Sequence, residues 1–83
     1  MEEHELVILD VVRISNGKSD TRNLDFAYYR RSSVFLDPHI LHVLLEFEAQ
    51  GLVSRVEIHN GTGPGWQLLP KGLTALKSSG WVS

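Results

Sequence analysis

His39, His42 and Glu46 stand three and four residues apart in an 83-residue chain, so a helix running through them sets two imidazoles and a carboxylate on one face. Zinc accepts such ligands, but a structural site closes on four, and the chain has no cysteine to complete one. The spacing therefore predicts a polar helix face whose charge rises below neutral pH, and no metal or other cofactor is expected. Gly61, Gly63 and Gly65 invite comparison with a phosphate-cradling loop. Such loops lead from a strand into a helix, whereas a strand-like run follows here and Pro64 removes an amide, so a hairpin tip is the better reading. Asp10, Asp25, Ser15 and the histidines form no triad spacing, and so small a domain rarely encloses a nucleophile, a base and an oxyanion donor together. The chain is read as a non-enzyme. Tyr28, Tyr29 and Trp66 have rings that could stack on unpaired bases, but no basic groove is evident beside them, and packing is their expected role.

Composition narrows the classes further. The length suits one domain spanning 1–83 with a single modest core. Eight Lys and Arg against ten Asp and Glu leave a net charge of −2, which counts against strong sequence-independent affinity for nucleic acid without excluding a locally basic face. The absence of cysteine fits a reducing compartment, and Glu2 and Glu3 follow Met1 where a secretory signal would carry basic residues. The apolar runs fall short of a membrane span. A cytoplasmic protein is expected.

The elements that must position these residues centre on Asp37 to Gln50. Asp37 can accept from the free amides of a first helical turn, and Pro38 has no amide to leave unpaired there. Ile40, Val43, Leu44 and Phe47 draw an apolar stripe, and Gly51 supplies a left-handed stop. Before this helix, Glu5 to Ile14 reads as a largely buried helix with Asp10 and Arg13 on its wet side. A second helix runs from Asp20 to about Arg31, with Leu24, Ala27, Tyr28 and Arg31 on one face and Phe26 and Tyr29 off it. After Gly51, a strand from Val53 to Ile58, a tip from His59 to Gly65, and a returning strand from Trp66 to Leu69 make a hairpin. Pro70 opens a last short helix that ends near Gly80. The pattern predicts an α+β winged helix-turn-helix: a three-helix core, a β-wing of two strands with a possible short third near Val34 to Leu36, and a C-terminal helix.

Phe47, Glu48, Ala49, Gln50, Gly51, Leu52 and Val53, then the glycine-rich hairpin, then Trp66 to Gly72 and Leu73 to Leu76, resemble the "LEaqGLV…YxLTpkGxxaL" run of bacterial and archaeal winged-helix regulators of the MarR and PadR kinds. The resemblance covers about the second half of the chain. It implies a small transcriptional regulator that contacts double-stranded DNA through helix 37–50 and wing 53–69, working as a homodimer. In that reading Arg30, Arg31, Arg55 and Lys71 hold phosphates, while Ser33, His39 and His42 approach the groove. Arg30 and Arg31 are equally open to being ordinary surface cations, with the stem of Arg31 along the core. Where the family often has a threonine able to cap the last helix, this chain has Leu69.

The same fold also hosts protein-binding modules. The outward positions of the third helix, His39, Leu41, His42, Leu45 and Glu46, are a poor set for reading bases. The alternative is an interaction patch of Leu41, His42 and Leu45, or of Trp81 and Val82, that a partner or a second copy covers.

Overall fold

Four helices and one two-stranded antiparallel sheet succeed one another along the chain in a computed structural model that describes residues 1–36, 39–58 and 63–82. The first helix, α1 (Glu3–Ser15), opens with the Glu2 amide donating to Glu5 Oε1 at 3.0 Å and closes at Asn16 in the left-handed region. Its β-branched residues take a helix because burial on nearly every side outweighs their weak strand preference. Leu6, Ile8, Leu9, Val11 and Val12 are all in the core, which α2, β2 and α4 cover from different directions. Asp10 is buried as well, so it does not lie on the wet side that its spacing from Arg13 predicted.

The second helix, α2 (Thr21–Ser32), is capped by Asp20, whose carboxylate accepts the Asn23 amide at 2.9 Å. Leu24, Asp25 and Tyr28 face inward, and Phe26 and Tyr29 are exposed. The third helix, α3 (His39–Ala49), buries the predicted stripe of Ile40, Val43, Leu44 and Phe47. Its end is a Schellman motif: Gly51 at φ 76° lets its own amide reach the Glu48 carbonyl and the Leu52 amide reach the Phe47 carbonyl. The cap expected at Asp37 and Pro38 lies outside the described residues.

Leu52 turns the chain straight into β1 (Val53–Val56), which pairs with β2 (Gly65–Leu68) in the register Val53 to Leu68 and Arg55 to Trp66. β1 is shorter than the sequence pattern suggested, whereas β2 keeps the expected four residues and begins one residue earlier. Glu57 and Ile58 lie beyond the pairing, and the Leu69 amide leaves the ladder to reach the Leu52 carbonyl at 2.9 Å. The tip from His59 to Thr62 lies outside the described residues. No strand forms at Val34 to Leu36, because Asp25 Oδ1 takes the Leu36 amide at 2.8 Å. The outer edge of β2 is met instead by the α1–α2 connection, through an isolated bridge of Asp20 to Gly65 and bonds from Gly17 and to Ser19. The last helix, α4 (Pro70–Ser78), starts after Leu69 with no side-chain cap, as its sequence foretold, and seats Leu76 in the core. No helix among the described residues is long and apolar enough to cross a membrane.

Candidate recognition surface

The face of α3 opposite its stripe carries His39, Leu41, His42, Leu45 and Glu46, all exposed, as the helical period requires. Leu41 is 44% and Leu45 38% accessible, so two leucines one turn apart stand in water. His42 Nε2 lies 3.3 Å from Glu46 Oε1, and the His39 and His42 rings stack with centroids 5.8 Å apart. His39, His42 and Glu46 do not draw three ligand atoms together. Among the described residues the group that does is Glu2, His4 and Glu5 at the start of α1.

The cations proposed as phosphate contacts are, with one exception, already engaged within the chain. Arg31 crosses from α2 to α1, where its Nη1 sits 2.6 Å from Asp10 Oδ2, and Arg13 holds the other carboxylate oxygen at 2.7 Å. Burial pushes the Asp10 carboxyl up, but the hydrogen bonds from Arg31 and Arg13, with their charge, more than offset it and hold the group below its usual 3.8. Arg55 on β1 makes a two-pronged contact with Glu48 on α3, Nε to Oε2 and Nη2 to Oε1 both at 2.8 Å. Those bonds lower the Glu48 carboxyl and raise the Arg55 guanidinium relative to their ordinary values. Lys71 reaches back from α4 to donate to the Gln50 carbonyl at 2.9 Å, so it caps the C-terminal end of α3. Arg30 is exposed and has no ion partner among the described residues. It borders an open groove of about 380 Å3 between α1 and α2, floored by Val11, Ile14 and Ala27.

Ser33 ends α2 at φ 63°, exposed three residues after Arg30. Trp81 and Val82 are half-buried against the domain's own core, with the Trp81 amide donating to the Leu76 carbonyl at 3.0 Å. They close the end of α4 rather than project as a free patch. A cluster that the spacing arguments passed over lies next to α3. Phe35 stacks on Tyr29 at 4.3 Å between ring centres and meets Phe26 edge-on at 5.5 Å, and all three rings are exposed. The signal for it was the pair of apolar residues that fell off the stripe of α2. Compared with protein-family models, with curated proteins and with solved structures, the chain matches none.

Proposed function

We propose that this chain is a winged helix-turn-helix domain whose third helix recognises protein rather than DNA. The order of helices, hairpin and terminal helix supports the fold. The observation that carries the function is the exposure of Leu41 and Leu45 on the face a DNA reader would set into the major groove. That face has no lysine or arginine, and the neighbouring Arg55 is neutralised by Glu48. A surface of this kind gains little from phosphate and much from an apolar partner. The experiment is fluorescence anisotropy of a labelled mixed-sequence duplex titrated at low and near-physiological salt. The expected result is no binding at either; binding that falls steeply with salt overturns the reading.

A transcriptional regulator on double-stranded DNA is the second reading, and one observation favours it: Arg30 is exposed in the last turn of α2, ahead of the connection to α3, and no acid among the described residues pairs with it. In that case Arg30→Ala flattens the salt dependence of duplex binding by about one counterion.

A further inference from the structure

We infer that what covers the outer face of α3 is the outer face of α2 on a second copy of this chain, the two strips meeting twice about a two-fold axis. The inference rests on the protein-recognition reading of α3 and names its partner. Along α2, Arg22, Phe26, Tyr29 and Arg30 follow at helical spacing and all are exposed. Phe35 folds onto the two rings, and the Arg22 guanidinium sits 5.9 Å from the centre of the Phe26 ring. The one acid within α2, Asp25, is buried, so the strip is aromatic and cationic with no carboxylate of its own. Aromatic rings and arginines are the residues that protein contacts enrich and depend on.

The strip on α3 is the complement. Leu41 and Leu45 are aliphatic and exposed, α3 contains no lysine or arginine, and its acids are Glu46 and Glu48. Glu48 is held by Arg55, which leaves Glu46 on the outer face beside His42. Each strip holds apolar surface in water and carries the charge the other lacks. Within one chain they cannot cover each other, since they lie on neighbouring helices that both face solvent. Two copies related by a two-fold axis can lay α2 of each on α3 of the other, and such a contact closes at two because the same patch serves both sides.

The test is sedimentation of the full chain over a concentration series, with folding checked by circular dichroism. The wild type forms a dimer. Arg22→Glu with Arg30→Glu, and separately Glu46→Arg, each weaken it by about tenfold or more through like-charge contact, and combining the three substitutions recovers most of the loss. A chain that is monomeric at every concentration, a dimer indifferent to these changes, or losses that the combination does not recover overturns the inference. A monomer that also leaves duplex DNA unbound overturns self-association alone, whereas a monomer that binds duplex with steep salt dependence removes the α3 reading as well.

Discussion

Arg31 and Asp10, on different helices and 21 positions apart, meet at 2.6 Å, and this contact ties α2 to the buried α1. Arg13 takes the second oxygen, so the carboxylate of a residue that is only 7% exposed has a guanidinium on each side. Geometry of this quality offsets the cost of burying a charge. The same contact engages the Arg31 guanidinium within the chain.

Arg31→Ala leaves Asp10 with Arg13 alone. Arg31 is itself 36% exposed at its side chain, so water softens the loss. A destabilisation of about 1–2 kcal/mol is expected, between the values for surface and fully buried pairs. Urea denaturation measures it, and a midpoint equal to the wild type's would mean that the pair contributes nothing.

The depressed Asp10 carboxyl makes stability depend on acid. The folded group sits below its ordinary 3.8, so the unfolded chain binds the proton more readily. Its contribution is full above the unfolded value and is lost as pH falls through the folded one. The stability gap between the wild type and Asp10→Asn should therefore shrink between about pH 5 and pH 2. Glu48 is lowered by its bonds to Arg55 and acts with the same sign. A gap constant across that range would show that the folded structure does not favour ionised Asp10.

Trp66 is 1% exposed, and its indole N–H donates to Thr21 Oγ1 at 2.9 Å, which fastens β2 to the first turn of α2. Thr21→Val keeps the shape and removes the acceptor. Leaving that N–H buried and unpaired is expected to cost about 1–3 kcal/mol in urea denaturation, while Thr21→Ser stays close to the parent. Equal losses in the two variants would assign the effect to the methyl group instead.

At Gly72, α4 passes close to Leu52, just before β1, and to Leu68 of β2. A β-carbon there would run into the Leu52 carbonyl oxygen and lie 2.7 Å from Leu68 Cδ1. The Leu52 carbonyl also accepts the Leu69 amide, so moving it loosens the junction. Alanine has the better helix propensity by about 1 kcal/mol. A clash with backbone outweighs that gain, and Gly72→Ala should lose about 1–3 kcal/mol and lower the melting temperature.

The outer face of α3 should tolerate change that its inner face would not. Leu41→Asp with Leu45→Asp is expected to weaken the dimer while leaving the stability of the single chain within about 0.5 kcal/mol per site, because within one chain both side chains are exposed. Circular dichroism and thermal melting check this, and a collapsed fold would show that the leucines pack within one chain.

Much of the architecture was legible in the residues themselves. The stripe Ile40, Val43, Leu44, Phe47 fixes one face of α3, and that in turn forces Leu41 and Leu45 outward. Asp20 and Gly51 set helix ends through their own side-chain and backbone chemistry, and Gly51 acts where the sequence placed it. These features are local: a period or a cap needs only four or five neighbouring residues. What tertiary structure alone decided was which distant groups meet. Asp10 went inward because Arg31 arrives from another helix to neutralise it, and Arg55 turned to Glu48 across the Gly51 turn. Phe35 settled on Tyr29 instead of joining a third strand, since Asp25 claims the Leu36 amide that such a strand would need. Charge pairs and ring contacts of this kind depend on how helices cross, and no spacing within a single helix encodes that crossing.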